Sequence, residues 1–497
     1  MKISKFNILS LSSLLLFLLA GCQTPDGPKT SRPEMPPLAS IDRTARPKPG
    51  PAPEAAFPAY KTYTLSNGLK LYVVSSDRQP TISYRLMFRS GSLFDGEQAG
   101  LSELLASMLD KGVEGKTAYE LASEIDFIGG SVGAAASSDF IAVSVSGLSK
   151  YKEVLIDTLA DVALRPTFPE EELQKLKSRT LSNLVSERRD PGAVADKLRR
   201  KLVYGDGGYG SYMTEESVAS ISKDVLAKFH EAHFLPNNAS LAVVGDVDPE
   251  EIRKLASATF GEWETKSIPS LPDYEYPTVE GVTVHLVDRP ESVQSVIRVA
   301  QQSVARDHED SLPLSVVMSV LGGGFSGRMY QNLREDKGYT YGCYSFAANA
   351  ARFGAIVTSA EVRNDVTAPA VQEMLFELDR IKTDPIGEEE LSMHRQYLSG
   401  NYLLSLENPM TTARRVQEIE VYGLKPNHFR DYVSNLVSVG RKSAQSIASK
   451  HIESDDLVVA VVGNAALVAE SLSEIGPIVY YNEKLEVIDG PAAMAAE

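Results

Sequence analysis

Seven histidines are the first place to look for metal chemistry in this 497-residue chain. Two imidazoles one helical turn apart can grip a single zinc ion, and a carboxylate beside them can take a proton from the metal-bound water. Neither H-x-x-E-H nor H-E-x-x-H occurs. His230-Glu231-Ala232-His233 comes closest, but its histidines stand three residues apart and no partner ligand is evident. A structural place at the end of a helix, before Pro236-Asn237-Asn238, is expected for them. Cys343 lies in the strand-like run Tyr341-Gly-Cys-Tyr-Ser345, where a small buried thiol is the expected state. The basic cluster Lys197-Leu-Arg-Arg-Lys201 reads as a solvated helix face. Gly322-Gly323-Gly324 suits a tight turn into a helix, and it lacks the strand and the Gly-Lys-Ser/Thr ending of a phosphate loop.

The elements that would position such groups are legible in the apolar pattern. Between Gly100 and Gly112, residues Leu101, Leu104, Leu105, Met108 and Leu109 recur at the spacing of one buried helical face. Gly112 then reads as the C-terminal stop. Glu103 and Ser107 fall one turn apart at the edge of this helix, with Ala106 between them. Strand-like alternation marks 81–88 and 293–299, and long helical stretches run from Pro169 to Arg189 and from Glu388 to Leu406.

An internal repeat sets the domain plan. Leu71-Tyr-Val-Val74 before Asp77-Arg-Gln-Pro80 is echoed by His285-Leu-Val287 before Asp288-Arg-Pro290. Leu241-Ala-Val-Val-Gly245 is echoed by Val459-Ala-Val-Val-Gly463. A tandem duplication follows. The fold class is α+β, with two homologous domains at 58–266 and 278–482, each a mostly antiparallel sheet covered on one face by helices. A linker at 267–277 joins them, and 483–497 forms a tail.

Compartment is written at the N-terminus. Lys2 and Lys5 precede an apolar run from Ile8 to Ala20, which is too short to span a bilayer comfortably, and Leu19-Ala-Gly-Cys22 closes it. This resembles a bacterial lipoprotein signal over 1–22, with Cys22 as the lipidated residue and Gln23 favouring the outer membrane, the body facing the periplasm. Residues 23–57 are a Pro-rich tether. With Cys22 acylated, no intrachain disulfide is possible. The net charge of −16 argues against a nucleic-acid partner.

The layout resembles the insulinase/pitrilysin family of zinc peptidases, the inverted zincins, along nearly all of the folded chain. The matches include the Gly-Leu start and Met-Leu-x-Lys-Gly end of the 100–112 helix, His233-Phe-Leu-Pro-Asn-Asn-Ala239 before Val-Val-Gly-Asp246, and Leu321-Gly-Gly-Gly-Phe-Ser-Gly-Arg328 before Leu333-Arg-Glu-Asp-Lys-Gly-Tyr-Thr-Tyr341. Laid on the family's H-x-x-E-H, this chain has Glu103 and Ser107 at the histidine positions and Ala106 at the glutamate. The third ligand position falls at Asn183 or a close neighbour, with Glu187 one turn later. The resemblance therefore implies no zinc and no cofactor in this chain. It also places the family's substrate-side Arg and Tyr at Arg334 and Tyr341, where the alternative use is a helix cap and a tyrosine packed in the core. In two-chain family members a zinc chain faces an Arg/Tyr chain across a chamber. The expected function is thus a non-catalytic subunit that pairs with a zinc-bearing paralogue on a peptide substrate. The competing expectation is a membrane-anchored scaffold with a peptidase-like fold and no role in proteolysis.

Overall fold

The computed structural model describes residues 57–491. The leader, Cys22 and nearly all of the tether lie outside the described residues. None of the described helices is long and apolar enough to cross a membrane.

The first half contributes β1 (Lys61–Thr64), β2 (Lys70–Ser75), β3 (Thr81–Phe88), the short ribbon β4 (Gly112–Val113) and β5 (Lys116–Thr117), β6 (Ser131–Ala136), β7 (Ile141–Leu148) and β8 (Ala239–Gly245). The ribbon aside, they form one sheet in the order β1-β2-β8-β3-β7-β6, antiparallel except between β2 and β8. The second half contributes β9 (Val282–Asp288), β10 (Gln294–Ser303), β11 (Thr340–Asn349), β12 (Gly354–Arg363), β13 (Leu457–Gly463), β14 (Ile478–Tyr481) and β15 (Val487–Ile488). Their order is β11-β12-β10-β13-β9-β14-β15. The path β2-β8-β3-β7-β6 is retraced by β9-β13-β10-β12-β11, down to the register: Leu71 pairs Leu241 and Val284 pairs Val459. β14 and β15 are additions, so the second sheet continues into the segment read as a tail, where Leu485 is buried.

Helices α1 (Leu101–Met108), α2 (Ala118–Phe127), α3 (Lys152–Leu164) and α4 (Glu170–Arg189) belong to the first half. Leu104, Leu105, Met108, Leu155 and Leu159 share a core with Leu71, Leu86 and Leu241 of the sheet. Gly112 is not the helix stop: α1 ends a turn earlier, and Gly112 begins β4 at φ 152°, where a Cβ would sit 2.8 Å from the Pro169 ring.

The opposite face of each sheet takes one helix from the other half. Helix α5 (Pro191–Tyr204) lays Val194, Ala195 and Leu198 against Val296, Ala460 and Val462 of the second sheet. Its counterpart, Pro409–Val421, lays Ala413 and Val416 against Tyr72, Ala242 and Val244 of the first. Both open on the same device, a side-chain cap followed by proline. Asp190 accepts the N–H of Gly192 at 2.8 Å, and Asn408 accepts that of Met410 at 2.9 Å. An arginine from the sheet, buried at Arg85 and partly buried at Arg298, ties each helix down from below. Arg298 on β10 bonds Asp196 at 3.1 Å, and Arg85, its equivalent on β3, donates to Gln417 Oε1. Gln417 Nε2 in turn donates to the carbonyls of Arg85 and Ser240 at 3.0 and 2.8 Å. The 267–277 segment has no helix or strand but is fastened, with Tyr274 donating to Leu93 O at 2.7 Å and Tyr276 stacked on Phe353 at 4.5 Å.

Candidate functional site

Helix α1 is built as a positioned element. Asp95 accepts the backbone N–H groups of Gly100 and Ser102 at 2.9 and 3.0 Å and the Ser102 hydroxyl at 3.2 Å, so a side-chain carboxylate holds the start of the helix. Burial pushes the Asp95 carboxyl up to about 7 against those three bonds. Gly100 adopts φ 95°, and a Cβ there would lie 2.2 Å from Met213 Cγ.

The three positions that could do chemistry on α1 face differently. Ala106 is buried in the core, and Ser107 is half-buried. Glu103 alone reaches a cavity of about 350 Å³, which Leu184, Glu187, Lys197 and Arg200 also line. Its carboxyl is held above the ordinary value by burial first and by the neighbouring Glu187 second, while Arg200 pulls the other way. Glu187 is already paired with Lys197 at 2.7 Å. Arg200 is spent on the carbonyls of Tyr209 and Ser211, at 3.0 and 2.9 Å. From α4 the cavity receives Leu184 and Glu187, not Asn183, whose side chain is exposed. One free carboxylate facing an ion pair and a guanidinium does not make a zinc site, which needs three or four converging donors. Among the described residues no trio of His, Cys, Asp or Glu donors gathers at α1.

The basic cluster on α5 is not a solvated face. Lys197 and Arg200 line this cavity, Lys201 pairs with Asp206 at 3.0 Å, and the helix is pinned between the two halves. His230 and His233 serve the core, as expected. His230 Nε2 bonds Ala163 O at 2.8 Å, and His233 Nδ1 bonds Ser90 at 2.9 Å between the rings of Phe94 and Phe229. Glu231 between them points outward to Lys266.

In the second half, helix Ser311–Gly322 ends in the glycine turn. A Cβ on Gly322 would lie 2.4 Å from the Ser345 backbone nitrogen, so β11 can pass close only because that position is bare. The chain then winds through a π-helical turn, Gln331–Asp336, anchored by buried Leu333 and by Asn332, whose amide donates to Glu373 and Glu377 at 2.9 and 2.8 Å. That anchoring leaves Arg334 on the outer side, its guanidinium 5.1 Å above the Tyr330 ring and its Nη1 donating to the Tyr341 carbonyl. β11 is an outer strand of its sheet, and its register shifts between Thr340 and Cys343. The irregularity turns Tyr341 out, 86% exposed, while Cys343 is fully buried and its thiol is pushed up to about 12. Tyr341 is thus not a core tyrosine. Its hydroxyl makes no hydrogen bond among the described residues, and none joins Arg334 or Tyr341 to the α1 cavity.

The family model for the insulinase peptidase family M16 matches residues 71–207, and the model for the M16 peptidase inactive domain matches residues 220–398. The chain belongs to the insulinase (M16) peptidase family. Its fold class follows with that membership. M16 relatives include the uncharacterized zinc protease YmxG of Bacillus subtilis, 26% identical over 405 residues, which covers 81% of this chain and 98% of that protein. An uncharacterized zinc protease of Mycobacterium leprae is 26% identical over 365 residues, covering 72% and 82%. Among solved structures, the M16 inactive domain from Pseudomonas fluorescens superposes with a TM-score of 0.76 at 24% identity, over 82% of this chain and 98% of that one. A protease from Helicobacter pylori gives 0.76 at 17%, over 82% and 100%. This M16 chain therefore carries the peptidase-like fold, while its α1 residues do not fit the family's zinc.

Proposed function

We propose that this chain is the non-catalytic subunit of a two-chain zinc peptidase, inactive alone and contributing half of a chamber to a paralogous subunit that carries the metal. The observation that supports it most is an asymmetry: α1 offers one free carboxylate where hydrolysis needs a metal, yet Tyr341 stands out from its strand, with Arg334 held beside it by the Tyr330 ring and the Tyr341 carbonyl. An Arg fork donates to peptide carbonyls or a carboxylate, and a Tyr hydroxyl stabilises the oxyanion formed when water attacks an amide. Neither group cleaves a peptide without an activated water, so the water must come from the partner. A scaffold has no use for an exposed arginine–tyrosine pair. In this reading Cys22 carries the lipid that holds the complex at the outer membrane, on its periplasmic side.

The test is reconstitution with a paralogue bearing intact H-x-x-E-H. Peptide cleavage should require both chains. Tyr341→Phe should lower turnover by about 10²-fold or more, the scale of one lost oxyanion donor, and Arg334→Ala should weaken substrate binding. Sizing should show both mutants still assembled. Wild-type cleavage by both assembled mutants would replace this reading with the scaffold.

A further inference from the structure

A cluster of metal-ligand side chains lies in the other half of the molecule, away from α1. His308 and Asp310 precede helix Ser311–Gly322, and His451 is the last residue of helix Arg441–His451. His451 Nε2 stands 2.7 Å and His308 Nδ1 3.9 Å from Asp310 Oδ2, and all three donor atoms lie within 4.8 Å of one another. Among the described residues this is the one trio of His, Cys, Asp or Glu donors that converges so closely. We propose that His308, Asp310 and His451 form a binding site for a borderline divalent ion, with zinc as the expected occupant.

Donors at about 2.0–2.1 Å from a tetrahedral ion stand roughly 3.3 Å apart, and the two observed separations bracket that value. Two imidazoles and one carboxylate suit zinc and its neighbours. They are too few oxygens for calcium or magnesium. Three protein donors leave a fourth position for water. An ion would have to displace the hydrogen bonds now present. The Asp310 N–H donates to His308 Nδ1 at 3.1 Å, so that nitrogen is the unprotonated one, and its single lone pair must turn from the N–H to the metal. His451 Nε2 must be the donor toward the carboxylate, and on binding a neutral His451 would carry its one ring proton on Nδ1 instead. The buried Gln301 holds this helix end in place, donating to His451 O at 2.8 Å.

Lys450 is the competitor. Its ammonium lies 2.6 Å from the same Asp310 Oδ2, on a side chain 56% exposed, so it can swing into water when an ion arrives. The carboxylate keeps a cationic partner in either state.

The untagged full chain should bind one zinc per chain in competition with a chromophoric chelator. His308→Ala and His451→Ala should each weaken binding by about 10²-fold or more, since even losing a group that only orients a ligand costs 10–100-fold. Lys450→Gln, an exposed change that threatens no packing, should tighten binding. Glu103→Ala should leave it unchanged. Cobalt in place of zinc should give the visible bands of a four-coordinate ion in wild type and lose them in His451→Ala. Absence of zinc above background, zinc retained in both histidine variants, or zinc lost with Glu103→Ala would each overturn the assignment.

Discussion

Gln417 is the side chain through which the second half grips the first, and removing it should unfold residues far from it in sequence. It is fully buried, accepts from the Arg85 guanidinium and donates to two backbone carbonyls. Arg85 is itself 6% exposed, lies 5.2 Å over the Phe140 ring, and is brought down to about 10 by burial. Gln417→Ala removes one charge-assisted bond of about 1.5–3 kcal/mol and leaves a buried charge without its acceptor, so a total loss of about 3–5 kcal/mol is expected. With a urea slope of about 2 kcal/mol per molar, the midpoint should fall by roughly 1.5–2.5 M. The single tryptophan, Trp263, is half-buried against Phe88 and Phe260 at the edge of the first half's core and reports its unfolding by fluorescence. Arg85→Met combined with Gln417→Leu should recover most of the loss, because an apolar pair leaves no unsatisfied charge. An unchanged Trp263 midpoint in Gln417→Ala would refute the bracing argument.

Acid should weaken the fold before most carboxylates titrate. Burial lowers His233, His285 and His428 to about 4, so their neutral forms contribute stability that is complete above the unfolded value near 6.5 and lost as pH falls toward 4. Asp95, raised to about 7, has the opposite sign, contributing fully below about 4 and losing its share as pH rises through 7, but one group does not offset three. Urea midpoints should therefore drop by at least about 1 M between pH 7 and 4.5, and a flat profile would refute it. Gly322→Ala should destabilise the glycine turn by about 2 kcal/mol or more, read as a lower thermal midpoint, because the new methyl meets the β11 backbone. Cys22→Ser should move the protein from the membrane fraction to the soluble periplasm, and an unchanged distribution would remove the lipid anchor from the picture.

Much of the fold is legible in the sequence because the duplication repeats its strands. The echo between the Val-rich runs at 241–245 and 459–463 marks which strands are equivalent, and the sheets then share one order. The exchange of α5 and Pro409–Val421 is not legible, since an apolar stripe says that a face is buried but not against what. The same blindness made the basic run at 197–201 look solvated. At the site, the departures from the family's zinc motif are readable residue by residue at Glu103, Ala106 and Ser107. Counting along α4 reaches Asn183 or a close neighbour, and the helical phase, which a count does not give, brings Leu184 and Glu187 to the cavity. The exposure of Tyr341 depends on a strand irregularity with no local sequence signature. His308, Asp310 and His451 come from segments about 140 residues apart, joined only by folding.

The traded helices bear on how such a molecule could have arisen. A lone half would carry one helix with an apolar face and no sheet of its own to receive it, and a sheet whose outer face lay bare. Two identical copies would satisfy each other by swapping, so a symmetric dimer of one half would meet the same packing requirement as the tandem chain. The connecting strap is itself fastened to both halves. Cut there, the two pieces should stay clasped.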